Sequence, residues 1–473
     1  MGSTIGEITM ATRPLATETS SVCVIVTRNA NSEVLLIEEA GNFSLPRVQI
    51  PRWERVAPHL LKEASKALEI EGVCLFCTAN SWTDATDSNP PCFVIEARKV
   101  RRSLTDGKTW IPVTNMGSIP FVSLADGERV ASAISQCKSF DCGAISGTFA
   151  STGWFDEVTG WVAEHLHPHG LSLTDEWVQY NTGPFFSLIR YETSGPDVWF
   201  KAVGEPNLRE FTITMKLAEL CPSYLPELLA THHGWHGWLA LDANGQHLDE
   251  TWDIQFWKIA VRSLAEMQLQ TIGESNVLIA AGCSDLRLKH LPDLIEPFVT
   301  VVAQLMPMQT VSHPRILSSK DLEMIEDKLK LACERLESLG LPDALGQTDL
   351  NAGNVLVNSD RAIFIDWVEG TVGHPFITCE YLLALLGRLR PDLEIWSTAI
   401  RETYAGPWKQ FCSAKELERT FRLTPLVAVL AFAANCPGWK DDIHEIEQGT
   451  AKLLRALARR MYAEAQKIGR TDC

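Results

Sequence analysis

The chain has 473 residues, of which 45% are hydrophobic and 21% are charged, and its formal net charge is −17. This length predicts two or three domains, and the apolar content excludes an intrinsically disordered chain. The negative charge argues against a nucleic-acid partner, because a nucleic-acid-binding surface needs clustered Lys and Arg to replace the counterions of the phosphates.

The sequence also excludes the usual membrane and secretion signals. It has no run of about 18 apolar residues, so we expect no membrane partner. Residues 1–20 are rich in Thr, Ser and Ala and lack the apolar segment of a secretory signal, so we expect a disordered tail there. The 13 cysteines are scattered, which is typical of reduced thiols in a cytoplasmic protein. Cys74 and Cys77 lie three residues apart in a predicted strand, so strand alternation places them on opposite faces.

The first part of the chain alternates short apolar runs with amphipathic stretches. Residues 21–29 and 33–40 predict a β-hairpin, and residues 54–68 predict an amphipathic helix. Further strands are predicted at 72–78, 92–97 and 110–113, and a helix near 126–136. Together these elements predict an α+β domain over residues 21–140, followed by a Gly/Ser-rich linker over 141–153.

The rest of the chain predicts a small β-rich lobe and then a large helical lobe. Residues 154–245 predict helices near 155–165 and 207–220 and strands at 176–181, 185–192 and 197–203, with another strand pair flanking 237–245. Residues 246–473 predict helices almost throughout. The exception is 347–366, where the β-like runs NVLVN and AIFID flank Ser359-Asp360-Arg361. This order is typical of bilobal kinase-like folds.

The string Gln347-Thr-Asp-Leu-Asn-Ala-Gly-Asn354, followed by Ile365-Asp366-Trp367, carries residues that phosphoryl transfer to an alcohol requires. A carboxylate must orient or deprotonate the hydroxyl, and oxygen ligands must hold Mg²⁺ on the phosphates. Asp349, Asn354 and Asp366 supply these groups. A loop–strand–turn–strand between them returns the chain on itself, so the three side chains can converge.

This combination resembles the H-x-D-x-x-x-x-N and I-D-W motifs of the aminoglycoside phosphotransferases, which choline and methylthioribose kinases share. The resemblance covers residues 150–470 and implies a bilobal protein-kinase-like fold that uses ATP, or GTP, with Mg²⁺. It implies that Asp349 is the catalytic base and that Asn354 and Asp366 bind the metal. In the small lobe it implies a nucleotide site whose members are Lys201 on the phosphates, Glu210 as the partner of Lys201, and the backbone of Leu239, Ala240 and Leu241 facing the adenine.

The sequence departs from the family pattern at two places. Gln347 stands where the family has a histidine that braces the loop and the metal-binding aspartate, and a Gln side chain donates a hydrogen bond with a different reach. Gly183 beside Pro184 replaces a Gly-rich phosphate loop. Each site residue also has a structural alternative: Asp349 and Asn354 as a capped turn, Lys201 as a strand-edge charge, Glu210 as a solvated helix residue, and Leu239 and Leu241 as plain core.

The N-terminal order of hairpin, helix and strands resembles a Nudix domain with a broken catalytic box. Glu54 fits the first glutamate of the box and Lys62-Glu63 its Arg-Glu step, whereas Lys66 and Ala67 replace its paired glutamates. Nudix hydrolysis needs several helix carboxylates on Mg²⁺. The resemblance therefore implies a Nudix-like domain without hydrolase activity, which serves dimerisation, docking or the acceptor pocket. An unrelated α+β domain is the alternative.

Three functions follow from these patterns. The first is an ATP-dependent kinase that moves the γ-phosphate to a hydroxyl of a small molecule, and the intact Asp349, Asn354 and Asp366 favour it. The second is a pseudokinase scaffold that binds a ligand or partner, and the third is a residual Nudix hydrolase. The acceptor is not identified by the sequence. Glu369 and Asp285 are candidate contacts to a cationic or polyhydroxylated acceptor, or else surface carboxylates, and a homodimer through the N-terminal domain is left open.

Overall fold

The computed structural model describes residues 18–52, 54–78, 91–100, 107–181, 183–348, 350–436, 438–440 and 443–469. Asp349 and residues 1–17 of the predicted tail lie outside this description. The chain divides into two compact units rather than three: residues 1–208 with 228–242 form the first unit, and residues 209–227 with 243–473 form the second.

The N-terminal part of the first unit is a mixed α+β structure, as the sequence predicts. Its sheet runs in the order β3-β2-β1-β6-β5, with β4 beside β1 and β7 beside β2, and β1 is antiparallel to β2 but parallel to β6. The strands are β1 (Thr19–Arg28), β2 (Glu33–Glu39), β3 (Asn42–Ser44), β4 (Arg47–Pro51), β5 (Ile70–Cys77), β6 (Cys92–Val100) and β7 (Lys108–Pro112). The helices are α1 (Val56–Leu68) and α2 (Leu124–Asp141).

The prediction that Cys74 and Cys77 lie on opposite faces of β5 is wrong. The register of β5 against β6 shifts between Cys74 and Phe76. This irregularity turns the chain, so Cys74 and Cys77 pack against the same hydrophobic cluster instead of opposite ones. The cysteines that the structure describes are all free thiols, and most of them are buried.

The predicted small lobe contributes a helix and an antiparallel sheet to the same unit. The helix is α3 (Trp154–Leu166), and the sheet runs β11-β12-β10-β9-β8. Its strands are β8 (Leu173–Asn181), β9 (Ser187–Thr193), β10 (Val198–Ala202), β11 (Leu228–His232) and β12 (Gly237–Leu241). The strand pair expected to flank residues 237–245 is placed differently, because β12 lies inside this segment, at Gly237–Leu241.

One hydrophobic core spans the two predicted domains of this unit. A single cluster of buried side chains contains Cys23 and Val94 from the first sheet, Phe155 from α3, and Phe200 and Leu239 from the second sheet. The predicted linker 141–153 is part of this packing, since Phe149 and Ala150 are buried within the cluster. The two parts are therefore built as one body.

A buried amide also joins the two sheets. The Gln179 side chain in β8 accepts a hydrogen bond from the Cys74 N–H and donates one to the Cys74 carbonyl, each at 2.9 Å. Gln179 is only 2% exposed. In this way one side chain satisfies both backbone groups of a residue in β5, as a paired strand would.

The second unit is mostly helical. Several of its helices begin at strong N-caps: Asp253 accepts from Gln255 N–H, and Ser318 and Ser413 form capping boxes with the acidic residue three positions later. The helices are α4 (Arg209–Leu220), α5 (Ile254–Gln270), α6 (Ser275–Ala280), α7 (Ile295–Leu305), α8 (Ser319–Ser338), α9 (Phe376–Leu389), α10 (Trp396–Ala405), α11 (Ala414–Asn435) and α12 (Gln448–Lys467).

Two small sheets interrupt these helices. The predicted hairpin around Ser359 is confirmed as β16 (Val355–Val357) and β17 (Ala362–Phe364), to which β13 (Gln246–His247) adds. The other sheet runs β14-β18-β15 and consists of β14 (Ser284–Leu286), β15 (Ala344–Gln347) and β18 (Gly370–Gly373). The expectation that strands occur only within 347–366 is therefore wrong, because β14 and β18 lie outside this range and β15 lies mostly before it.

No helix in the described ranges has both the length and the apolar character of a membrane span.

Gln179→Ala should destabilise the first unit. The substitution removes two buried hydrogen bonds to the Cys74 backbone, and the loss of two such bonds costs about 1–3 kcal/mol of unfolding free energy. Gln136→Ala is the matched control, because the Gln136 side chain bonds Ser132 at the surface of α2. The control should change the unfolding free energy by less than about 0.5 kcal/mol. Urea unfolding of both variants measures the difference, and equal midpoints would contradict the bridging role of Gln179.

Candidate active site

The predicted catalytic residues lie in two connections of the second unit. Thr348 to Asn354 connect β15 to β16, and Ile365 to Glu369 connect β17 to β18. Because β16 and β17 are antiparallel neighbours, the start of one strand lies beside the end of the other. The sequence order alone therefore brings these two connections together. Asp349 belongs to the first connection but lies outside the described residues.

Asn354 and Asp366 occupy neighbouring backbone positions. Val355 pairs with Phe364, and the Ile365 N–H donates to the Asn354 carbonyl at 3.0 Å. Asp366 follows directly and is half-buried. Its φ of 63° is in the left-handed region, which is unfavourable for a residue with a Cβ but more accessible to Asp than to most others. This turn redirects the chain from β17 into the Trp367 segment.

Gln347 holds the backbone of Asp366. The Gln347 Nε2 donates to the Asp366 carbonyl, and the Gln347 N–H donates to Thr378 Oγ1 at 3.1 Å. Gln347 is 1% exposed, and its Oε1 has no hydrogen-bond partner. Gln347 therefore braces the backbone of Asp366 through a neutral amide.

Three further contacts fix the connection from Thr348 to Asn354, which carries the predicted catalytic base and is called the catalytic loop below, and none of these contacts was predicted. His247 Nδ1 lies 2.7 Å from the Gly353 carbonyl and must carry the proton, because a carbonyl only accepts. Asn435 Nδ2 donates to Thr348 Oγ1 at 2.9 Å, and the Thr348 N–H donates to the Glu369 carbonyl at 3.1 Å. His247 and Asn435 are each far from the loop in sequence, so no local pattern could have indicated them.

The donor set of Asn354 and Asp366 fits a hard cation. Amide and carboxylate oxygens are the ligands that Mg²⁺ accepts, and Mg²⁺ usually takes one or two protein ligands together with phosphate oxygens and water. Across the described residues, no group of three or more His, Cys, Asp or Glu side chains is placed to hold a metal ion.

Lys201 and Glu210 lie in different units. Lys201 is in β10, the middle strand of its sheet, where it pairs with Leu188 and Trp238, so it is not an edge charge. Its Nζ lies 5.7 Å from the Trp238 ring centroid. Glu210 is in the first turn of α4 and is 3% exposed, so it is not a solvated helix residue. A buried carboxylate and a central lysine both need a functional or structural reason.

The three predicted adenine-facing residues differ in how the sheet uses their backbone. Leu239 and Ala240 pair with both β10 and β11, whereas Leu241 pairs with β10 alone. Leu239 is also a fully buried core side chain. Of the three residues, Leu241 is therefore the one whose backbone does not pair with β11.

The two candidate acceptor contacts are already paired with cations. Arg209 Nη2 lies 3.1 Å from Glu369 Oε1. Arg287 binds Asp285 with both arms of its guanidinium, and His290 Nε2 lies 3.5 Å from the same carboxylate. Burial alone would raise the pKa of Asp285, but the hydrogen bonds from Arg287 hold it below its ordinary value.

His374 is a buried polar side chain beside this site, where it follows β18. It is 3% exposed, and neither of its ring nitrogens has a hydrogen-bond partner. Burial lowers the pKa of His374 to about 3, so the imidazole is neutral near pH 7. Its neighbour Pro375 is held by Gln268 and Tyr404, which both donate to the Pro375 carbonyl.

No family model matches the chain, and neither does any curated protein. Solved structures do. An ethanolamine kinase of Plasmodium vivax is 12% identical over 72% of this chain and 96% of its own, with a TM-score of 0.46. A choline kinase of Cryptosporidium parvum is 12% identical over 66% and 96%, with a TM-score of 0.47. A spectinomycin phosphotransferase, in complex with ADP and spectinomycin, is 13% identical over 65% and 98%, with a TM-score of 0.35. These names are those of the family that the motifs resemble, and the function proposed below rests on this chain's own residues.

The buried His374 should make the protein sensitive to acid. The unfolded chain takes up a proton below about pH 6.5, whereas folded His374 stays neutral until about pH 3. Its contribution is therefore complete above about pH 6.5 and is lost as the pH falls, by about 2 kcal/mol between pH 7.5 and pH 5. His374→Met should remove this part of the pH dependence in urea unfolding, and the exposed His169→Met should retain it. An unchanged pH dependence in His374→Met would contradict the assignment.

Proposed function

We propose that this chain is a kinase of small molecules, which transfers the γ-phosphate of ATP to a hydroxyl group. The observation that carries the proposal is the pair Asn354 and Asp366, which the β16–β17 hairpin sets side by side. Gln347 fixes the backbone of Asp366 from the strand that leads into Asp349. Ordinary capped turns do not need a buried amide from another strand to hold a left-handed aspartate.

The proposed reaction assigns one task to each residue. Asp349 accepts the proton of the acceptor hydroxyl as the hydroxyl oxygen bonds to the γ-phosphorus. The bond from that phosphorus to the β–γ bridging oxygen breaks, and ADP leaves. Asn354 and Asp366 would hold Mg²⁺, which neutralises charge on the phosphates. The brace by Gln347 keeps the Asp366 carboxylate in one place during the transfer.

The nucleotide-binding residues follow from the first unit and from α4. Lys201 would contact the phosphates, and the buried Glu210 stays the second nucleotide-site residue that the resemblance implies. The adenine edge would meet the backbone of Leu241, which does not pair with β11. ATP is the nucleotide of the proposal, and GTP remains the alternative that the test below separates.

The first test is binding of the nucleotide. Mg²⁺·ATP at about 100 times its Kd should raise the unfolding free energy by about 2–3 kcal/mol, because it binds the folded state alone. Thermal shift and calorimetry with ATP and GTP measure this effect and the base preference. Lys201→Met should reduce the shift.

Lys216→Met is the matched control, because Lys216 is a similarly half-exposed lysine that pairs with Glu219 on α4. It should leave the shift unchanged. If neither nucleotide stabilises the protein at millimolar concentration, the chain is a scaffold and not a kinase.

The second test separates Asp349 from Asp366. Asp349→Asn keeps the shape but loses the proton acceptor, so nucleotide binding should survive while turnover falls about 10²–10⁴-fold. Asp366→Asn removes a charged oxygen ligand, so metal-dependent nucleotide binding should weaken together with turnover. Calorimetry and ADP release measure the two effects.

Equal loss of nucleotide binding in both variants would refute these roles. Unchanged turnover in both, with only about 1 kcal/mol of lost stability, would show that the two residues are turn caps.

A further inference from the structure

Five polar residues of the second unit meet beside the catalytic loop. They are Arg209, Ser284, Thr348, Glu369 and Asn435, and we call them the Glu369 cluster. Arg209 Nη2 lies 3.1 Å from Glu369 Oε1, and Arg209 Nη1 lies 3.4 Å from Ser284 Oγ. The Glu369 carbonyl accepts the Thr348 N–H, and Thr348 Oγ1 accepts from Asn435. The contacts link α4, β14, the catalytic loop and the end of α11.

The Glu369 cluster joins the two connections that carry the predicted catalytic residues. Thr348 directly precedes Asp349 in the chain, and Glu369 follows Asp366 by three residues. The side chains of Arg209 and Glu369 are about one-third exposed, so both reach solvent. An acceptor bound at these two connections would therefore meet the donors and acceptors of this cluster.

The charges of the Glu369 cluster cancel. Glu369 is paired with Arg209, and the neighbouring carboxylate of Asp285 is occupied by Arg287 and His290. A cationic acceptor needs a carboxylate that is not already neutralised, since an unpaired buried charge is costly. An anionic acceptor would face the carboxylates of Asp366 and Asp349, which repel it.

The groups that remain suit hydroxyls. A guanidinium donates, a carboxylate accepts, and hydroxyl and amide groups do both, so together they can satisfy several adjacent hydroxyl groups. We propose that the Glu369 cluster binds a neutral polyhydroxylated acceptor, of the sugar or polyol class, and that the Arg209–Glu369 pair selects against charged alcohols. This inference rests on the proposed kinase function.

The test uses acceptors that differ mainly in charge. One set is glucose, glucosamine and glucuronate, and the other is glycerol, 3-amino-1,2-propanediol and glycerate. Acceptor-dependent ADP release should give the neutral member of each set the highest kcat/KM, by roughly three- to tenfold. A preference for either amine or either acid would overturn the proposal.

Two variants test the ion pair itself. Arg209→Gln leaves Glu369 unpaired and should shift the ranking toward the amines, by about three- to tenfold relative to the neutral member. Glu369→Gln leaves Arg209 unpaired and should shift it toward the acids. Arg390→Gln is the control, because Arg390 pairs with Asp392 at a similar exposure, away from the cluster. It should keep the wild-type ranking, and a ranking unchanged in the first two variants would overturn the proposal.

Nucleotide binding shows whether the acceptor proposal alone or the kinase function itself has failed. If Mg²⁺·ATP stabilises the protein but neither neutral acceptor releases ADP above background, the acceptor proposal falls while the nucleotide-binding part of the function stands. If Mg²⁺·ATP does not stabilise the protein, the kinase function itself falls.

Discussion

The hydrogen bond from Gln347 to the Asp366 carbonyl constrains the candidate site more than any other contact. It joins residues 19 positions apart, and it stabilises a left-handed backbone that costs an aspartate roughly 1 kcal/mol. Gln347 is itself fixed, because its N–H donates to Thr378 Oγ1 from the start of α9. The direction in which the Asp366 carboxylate points therefore depends on a strand, a turn and a helix that assemble only when the second unit folds.

The first unit also depends on contacts between parts that are far apart in the sequence. One hydrophobic core is shared by the N-terminal sheet, α3 and the sheet that carries Lys201. Gln179 also links the two sheets through its hydrogen bonds to the Cys74 backbone. Removing the N-terminal residues would expose the buried faces of Phe200 and Leu239, which lie in the strands of the proposed nucleotide site. This shared core gives the N-terminal part of the unit a structural role that requires no catalytic activity there.

The sequence predicted those features that local patterns encode. The hairpin β1–β2, the amphipathic α1, the β16–β17 hairpin and the placement of Asn354 near Asp366 follow from periodicity and order. β4 and β14 lie outside the strands that the sequence predicted, and the irregularity at Cys74 changes a face that alternation assigns. The anchors His247 and Asn435 act through contacts across 106 and 87 residues, which no window along the chain can indicate.

The groups that position the catalytic loop are almost all uncharged. Gln347 and Asn435 are amides, and Thr378 is a hydroxyl, so none of them titrates. A histidine in the place of Gln347 would introduce a titratable ring next to the Asp366 backbone, whereas the amide does not titrate. With an amide there, the brace keeps the same donor at every pH at which the unit is folded. The buried His374 makes the stability of the fold sensitive to acid, but it does not contact the brace.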